Sequence, residues 1–459
     1  MTDAAGRRVA FLAPLPPQAS GIADYSAALL PHLAQRLDLE AFTRDPQRSS
    51  AAMRCGLPLR RFAAFHPTAD RVAIYQLGNH AAHHGEIYRL ALRHPGIAVL
   101  HEHVLHDLVR DCTLEDGGPR AYAEELRYCL GRSGARLAAR LRAGGERLSP
   151  FDWPLFERIV DSSLAVIVHS RAARDRIARS RPLARVRVVP HLVEPPRDCA
   201  ARAAELRREL EIPQGALVFG AFGIAAAAKR IDTVLDAFAR LERSRDDCAF
   251  LLVGPESPRF VRELGDQAAA LTPRLRVLDR VPLDRLETAM AATDVALNLR
   301  FPTGGETSAT CLRLLALARP VVVTDLGWFS EIPDDACVKV RPDALEEPML
   351  DELLLAIAAR PELRRALGEN GRRWAIGEHS IAAAVDGYSA AAVEAAAARG
   401  EHRRAPPPAS RENDVDGELL VEVAAALGDL GVTEVDEDVL GHVACLAAEL
   451  GIGSGRAGS

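Results

Sequence analysis

Ten short runs of β-branched and apolar residues, separated by stretches of helical periodicity, follow one another almost to residue 400. Five lie in the first half: RVAFLA (8–13), RVAIYQ (71–76), IAVLHE (97–102), LAVIVH (164–169) and VRVVP (186–190). Five follow: LVFGAF (217–222), AFLLVG (249–254), LRVLD (275–279), DVALNL (294–299) and PVVVTD (320–325). Strands that are apolar throughout are buried on both faces, which parallel sheets with crossover helices achieve. The pattern predicts an α/β protein of doubly wound parallel sheets.

At 459 residues the chain exceeds one ordinary core, so two such domains are expected. Prolines in PHLVEPPRD (190–198) interrupt the alternation and place the boundary there. We read 1–195 as the first domain, with a helical insertion at about 113–150, and 196–378 as the second. Residues 379–400 read as a terminal helix, and 401–459 as a Pro-rich linker followed by a tail. Residues 412–459 hold eleven acidic residues against one arginine, which predicts a solvated appendage, helical in short pieces or disordered.

A net charge of −6 argues against nucleic acid as partner. Eight scattered cysteines without a CxxC suit reduced thiols in a cytoplasmic protein. The start, MTDAAGRRVAFLAPLPP, has an apolar run too short for a signal peptide, and no uncharged stretch has bilayer-spanning length. Of 57 basic residues only Lys229 and Lys339 are lysine. In the Arg-rich stretch 120–147, Arg132, Arg136 and Arg140 fall four apart on one helix face. That face reads either as a dock for anionic headgroups at the inner membrane face or an anionic acceptor, or as ordinary solvent-exposed surface.

Parallel sheets bind ligands beyond the carboxyl ends of their strands, where helix N-termini offer free N–H groups. Three post-strand turns are unusual. In PLPPQASGIADYSAALL, Ser20 can cap a helix and Gly21 lets backbone approach a ligand. At FGIAAAAKRIDTVLDAF (222–238), Gly223 and the preceding Gly220 end a strand and Lys229 opens a helix. A compact ammonium fits between phosphate oxygens where a planar guanidinium does not, so a lysine in an arginine-rich chain points to an anion. In RFPTGGETSATC (300–311), Thr303, Gly304 and Gly305 expose N–H groups at a helix start, an anion site suited to a diphosphate. Glu306 would be repelled there unless it faced sugar hydroxyls; its other reading is a first-turn carboxylate favoured by the helix dipole.

VLHEHVLHDL carries His101, Glu102, His103 and His106 just past a strand. It fails the zinc signature HExxH because Leu105 stands where the second histidine belongs, so no metal is expected. The histidines read as donors or bases toward substrate, or as structural, hydrogen-bonded residues. No GxGxxG follows a strand, and neither a Walker A nor a GxSxG motif is present.

In their order, SGIADYSAALLPHLA, VLHEH, VVPHLVEPP, FGIAAAAKRID, FLLVG, RVPLDRLETAMAATDVALNL and GGETSATCLRLLALARPVVVTDLGWFSEIPD resemble the retaining glycosyltransferases of family 4. The resemblance covers roughly residues 8–395 and implies the GT-B architecture, two Rossmann-like domains facing a cleft. It implies that a nucleoside-diphosphate sugar lies on the second domain. Lys229 would contact the diphosphate, and the amides of Gly304, Gly305, Glu306, Thr307 and Ser308 would cradle phosphate and sugar. Glu306 matches the first acid of the family's paired-glutamate motif, while Arg280 and Val281 fall where the family contacts the base. Gly21 would close against the phosphates, and His101, or else His103, would contact the transferred sugar. Two positions depart: Arg313 stands where the second glutamate grips the ribose, and IAAAA replaces the family's phosphate arginine.

The implied reaction moves a sugar to a hydroxyl of a carbohydrate or lipid-linked acceptor with retention, the leaving diphosphate taking the acceptor's proton. It needs no metal or other cofactor and serves polysaccharide, glycolipid or cell-envelope glycan synthesis. A non-catalytic nucleotide-sugar scaffold or sensor, and a nucleotide-sugar epimerase on the same fold, are the alternatives.

Overall fold

The computed structural model describes residues 8–49, 56–142, 149–196, 199–223, 227–254 and 274–399. The predicted linker and acidic tail, 401–459, lie outside the described residues. The chain divides into two compact units: residues 1–111 with 149–403, and residues 112–148 with 404–459.

The first unit holds two sheets. In chain order its first lobe contains β1 (Arg8–Leu12), α1 (Gly21–Leu33), β2 (Asp38–Thr43), β3 (Leu59–Arg61), β4 (Arg71–Leu77), α2 (Ala81–Arg93) and β5 (Ile97–Leu100). Helix α3 (His106–Arg142) starts in this unit, and α4 (Glu157–Asp161), β6 (Ala165–Val168), α5 (Arg171–Ser180) and β7 (Val186–Val188) complete the lobe. The seven strands are parallel in the order β3-β2-β1-β4-β5-β6-β7.

The second lobe contains α6 (Ala200–Glu209), β8 (Leu217–Phe222), α7 (Ile231–Ser244), β9 (Cys248–Val253), β10 (Leu275–Leu278), α8 (Leu283–Ala291) and β11 (Val295–Asn298). It continues with α9 (Ala309–Ala316), β12 (Val321–Thr324), β13 (Val338–Val340), α10 (Glu346–Ala359) and α11 (Pro361–Glu378). Its six strands are parallel in the order β10-β9-β8-β11-β12-β13.

All ten strands expected from the apolar runs form. Most are buried on both faces, β8 and β9 over their whole lengths, whereas the edge strands β7 and β10 are only partly buried. Helix α7 shows the complementary pattern: Ile231, Val234, Leu235, Phe238 and Leu241, three or four apart, pack on Phe219 and Phe250 of the sheet. Three further strands, β2, β3 and β13, were not expected. All lie on the outer part of a sheet and carry charge; Glu40 of β2 pairs with Arg60 of β3 at 2.6 Å and with Arg71 of β4.

The chain's last described helix, α12 (Ile381–Ala398), starts at Ser380, whose hydroxyl accepts from the Ala383 N–H. Its Ala384, Tyr388, Ala391, Ala392 and Ala395 are buried with Val9, Phe11, Leu29 and Ile74, so it completes the core of the first lobe rather than the second. The second unit is described as far as Arg142 by the continuation of α3, which is non-helical at Gly117, Gly118 and Gly131. Among the described residues no disulfide forms, and no helix is long and apolar enough to cross a membrane.

Strand order reverses at β1/β4 in one sheet and at β8/β11 in the other. The crevices at such switch points are where open parallel sheets bind ligands. The turns after β1, β8 and β11 are the three that stood out in sequence.

Candidate active site

The turn between β11 and α9 is organised by its own side chains. The Glu306 carboxylate pairs with Arg300 Nε at 2.8 Å through Oε1, while Oε2 accepts from the Gly304 N–H (2.8 Å) and Thr303 Oγ1 (3.1 Å). The Gly305 N–H donates to Thr303 Oγ1 at 3.1 Å, and the Arg300 N–H to Thr324 Oγ1 at 2.9 Å. Ser308 caps α9: its Oγ accepts from the Cys311 N–H (3.2 Å) and from Asn298 Nδ2 (3.1 Å). Two of the five amides expected to cradle a ligand, those of Gly304 and Gly305, are therefore engaged within the turn. Among the described residues the N–H groups of Glu306, Thr307, Ala309 and Thr310 have no acceptor. Glu306 also faces inward, with both oxygens occupied, instead of outward.

Lys229 ends a short 3₁₀ turn, Ala227–Lys229, one residue ahead of the α7 N-cap Arg230. Sequence reading placed it in the first helical turn; here its charge stands outside that turn. Nζ donates to the Phe222 carbonyl at 3.2 Å and covers Gly223. A Cβ on Gly223 would meet Nζ at 2.3 Å and Thr310 Oγ1 at 3.9 Å, so the ammonium and the first turn of α9 face one point. Burial, with Arg300 adding to it and Glu306 opposing, pushes Lys229 down to about 7. Gly220 lies inside β8 rather than at its end, where a Cβ would press Thr293 Oγ1 at 2.9 Å. Its smallness serves packing.

The first lobe meets this turn through the loop after β5. The N–H groups of His103 and Val104 both donate to the Gly304 carbonyl, at 2.9 and 3.2 Å. Thr307 Oγ1 donates to the His169 carbonyl at 3.2 Å. The His103 ring lies against Gly305; its Nδ1 is buried without a hydrogen-bond partner among the described residues, and burial holds it down to about 4. Glu102 Oε1 accepts from the Asn79 N–H at 2.8 Å. Its Oε2 would lie 3.1 Å from a Cβ on Gly304, with Glu306 Oε2 at 3.3 Å from the same point. Burial pushes the Glu102 carboxyl up to about 7, partly opposed by the Asn79 amide and reinforced by Glu306.

His101 turns inward. Its Nε2 is 2.7 Å from Gln76 Oε1, and the Gln76 amide donates to the Tyr388 hydroxyl at 3.2 Å. With the amide so oriented, His101 carries its proton on Nε2. The rings of Tyr25 (4.9 Å) and His169 (4.7 Å) pack on it, and burial keeps it well below the usual imidazole range. His106 donates to the Trp153 carbonyl and is buried, a structural role.

The remaining candidates sit apart from that turn. Gly21 and Arg313 line a narrow crevice together with Asp24, Tyr25, His191 and Glu287. Burial raises Asp24, opposed first by Arg313 and then by Arg280, so both arginines approach it. Val281 packs against the core of the second lobe. Lys229 and Glu306 do not line this crevice; α9 connects the two places, with Ser308 at one end and Arg313 toward the other. Asn79, Gln76 and Arg300 escaped sequence reading, which noted Glu102, inside the HE pair, but gave it no role of its own. Among the described residues no group of three or more His, Cys, Asp or Glu is placed to hold a metal.

Residues 214–356 match the family described as Glycosyl transferases group 1. The alpha-D-kanosaminyltransferase of Streptomyces kanamyceticus is 25% identical over 259 residues, 52% of this chain and 66% of that protein, just under two thirds of its length. The crystal structure of Anabaena Alr3699/HepE in complex with UDP-glucose superposes with a TM-score of 0.57 at 14% identity, covering 83% of this chain and 98% of that one. Sucrose-phosphate synthase (tll1590) from Thermosynechococcus elongatus gives 0.54 at 16% identity, covering 92% and 100%. The fold is GT-B, and the stretch of its second lobe that matches the group 1 family includes Lys229, Glu306 and Arg313.

Proposed function

We propose that the chain is a retaining glycosyltransferase of family 4, moving a sugar from a nucleoside diphosphate to a hydroxyl of a carbohydrate or lipid-linked acceptor. The observation that carries this reading is the convergence of Lys229 Nζ and the first turn of α9 above Gly223. A diphosphate at that point takes up the ammonium's charge and the unused N–H groups, and both stabilise the leaving group as its bond to the sugar breaks. The sugar then lies toward Gly304, Glu306 and the first-lobe loop of His101, Glu102 and His103. Ribose and base extend to the crevice of Gly21, Arg280, Val281 and Arg313. Lys229 and the amides supply the positive charge, so the proposed chemistry uses no metal or further cofactor. The neighbour solved with UDP-glucose supports a nucleotide-sugar donor, and the kanosaminyltransferase supports glycosyl transfer. The proposed setting is the cytoplasm, in glycan or glycolipid synthesis.

UDP, GDP and ADP, tested in turn by thermal shift, separate the donors. One is expected to raise the melting temperature, by an amount reflecting about 2.7 kcal/mol at a hundredfold excess over Kd. The corresponding nucleotide sugar should release that diphosphate; no shift with any of the three sinks the reading. Gly21→Ala sharpens the test. A Cβ there meets nothing within 4 Å, so the unliganded protein should melt unchanged while the nucleotide-induced shift shrinks.

Both Glu306 oxygens being committed to the turn favours a second reading, a nucleotide-sugar scaffold or sensor. Tight binding without sugar release selects it, and isomerised sugar without acceptor selects an epimerase. The exposed Arg120, Arg127, Arg136 and Arg140 of α3 support a peripheral contact with anionic lipid. Co-sedimentation with phosphatidylglycerol vesicles at low salt, lost at high salt, is expected; equal partition to phosphatidylcholine vesicles would remove the contact from the proposal.

A further inference from the structure

The second lobe gathers arginines at the end of its sheet away from the donor turns. Strands β9, β8, β11 and β12 start side by side there. Arg245 and Asp247 precede β9, Asp294 precedes β11 and Arg319 precedes β12. Arg207 of α6 and Arg364 of α11 join them, and Arg207, Arg245, Asp247, Asp294 and Arg364 line an open pocket of about 260 Å³.

Both aspartates are occupied in holding arginines in place. Asp247 takes Arg245 at two points, Nε to Oδ1 at 3.0 Å and Nη2 to Oδ2 at 2.7 Å. Asp294 Oδ2 accepts from Arg207 Nη2 and from the Val218 N–H, both at 2.8 Å. Arg364 has carbonyls in place of a counter-ion: its Nη1 donates to Ile357 at 2.6 Å and Ala358 at 2.9 Å. Arg319 has neither. Among the described residues its guanidinium makes no hydrogen bond and no ion pair, and its Nε is buried. The turn that carries it is fixed. Ala318 has φ +56°, and a Cβ on Gly368 of α11 would stand 2.3 Å from the Ala318 carbonyl oxygen. Arg364 lies one helical turn before Gly368 on the same face, so α11 brings it toward Arg319. The charges acting on Arg319 belong to two walls of the pocket. Burial holds it below the ordinary guanidinium range, with Asp294 opposing and Arg207 adding to the effect.

A cation withdrawn from water without a counter-ion is costly, and folded proteins normally pair it. Here four guanidiniums against two carboxylates leave two positive charges uncompensated, which one phosphate dianion would match. A guanidinium fork meets phosphate oxygens two at a time, where an ammonium acts as a point charge. The volume falls below the range of about 300–1,000 Å³ usual for drug-sized ligands, so the occupant is small. We propose that this pocket is a second anion site, binding the phosphate dianion of inorganic phosphate or of a small phosphate monoester, with Arg319 as its principal contact. It shares no residue with the donor site and stands or falls apart from the glycosyltransferase reading.

Calorimetric titration at constant ionic strength tests it, with inorganic phosphate and glucose 6-phosphate as probes. Lys229→Met protein serves as the parent, so that the donor turn does not compete. Adding Arg319→Met should weaken phosphate binding about tenfold to a hundredfold, the worth of one charge-assisted hydrogen bond. Made alone in wild type, Arg319→Met should leave the nucleoside-diphosphate melting shift unchanged. Tighter binding of glucose 6-phosphate assigns the site to a phosphorylated metabolite, and tighter binding of phosphate assigns it to the free ion. Binding of neither probe, or equal affinity in parent and Arg319→Met, overturns the proposal. Should Arg319→Met not fold, Arg245→Met serves: the same loss is expected, and unchanged affinity overturns the site.

Discussion

Gly305→Ala is expected to cost on the order of 3 kcal/mol in stability and to abolish diphosphate release. Two separate effects add. The backbone at Gly305 has φ +80°, a region that costs an L-residue about 1–2 kcal/mol. An added Cβ would also stand 1.9 Å from His103 Nδ1 and 2.3 Å from Cε1, overlap that forces the ring aside at about 1–3 kcal/mol. The ring has little room to yield, because the His103 backbone N–H is anchored on the Gly304 carbonyl next door. Relief therefore comes from parting the loop after β5 from the turn after β11, the contact that seats Glu102 beside Gly304. Thermal denaturation and the release assay read the two losses. The cause is separable by a double-mutant cycle: in a His103→Ala background, Gly305→Ala should cost only the backbone part. Equal cost in both backgrounds would show that the ring is not what the methyl strikes.

That contact also shows how far the chain could be read without coordinates. A buried parallel strand announces itself through composition alone, so each of the ten runs from RVAFLA to PVVVTD became a strand. β2 gave no such signal because Asp38 and Glu40 interrupt its buried residues, and the three-residue β3 and β13 are too short and too polar to give one. At the site, Gly304, Gly305 and Lys229 stood out because small or unusual residues at a strand end have few structural uses. Glu102 did not, since its meaning depends on the Asn79 amide and on Gly304, which belong to other turns. The inward orientation of Glu306 was equally hidden: a carboxylate beside free N–H groups can face a ligand or its own loop. Arg300, unremarkable among 55 arginines, decides the matter by pairing with it. His101 depended on Tyr388, from a helix almost three hundred residues later that returns to the first lobe.

Replacing Lys229 with methionine should weaken nucleoside diphosphate binding by about tenfold to a hundredfold, the worth of one charge-assisted hydrogen bond. The second expectation concerns protons. In the free protein Lys229 titrates at about 7 against an ordinary 10.5, so near pH 8 it is largely neutral. A bound diphosphate favours the ammonium and draws its titration upward, so binding at pH 8 should take up close to one proton. Calorimetry in Tris and in phosphate, whose ionisation enthalpies differ, measures that uptake; Lys229→Met should show none from this group. The unliganded protein obeys the same linkage. Between pH 7 and 10.5 the unfolded chain binds more protons at Lys229 than the folded one, so stability rises with pH through that window. Below pH 7 wild type bears the full cost of a half-buried charge, and Lys229→Met should be the more stable protein. Above pH 10.5 that advantage should vanish. A variant that binds the diphosphate as tightly as wild type, with unchanged proton uptake, would remove the ammonium from the site and with it the main support for a diphosphate above Gly223.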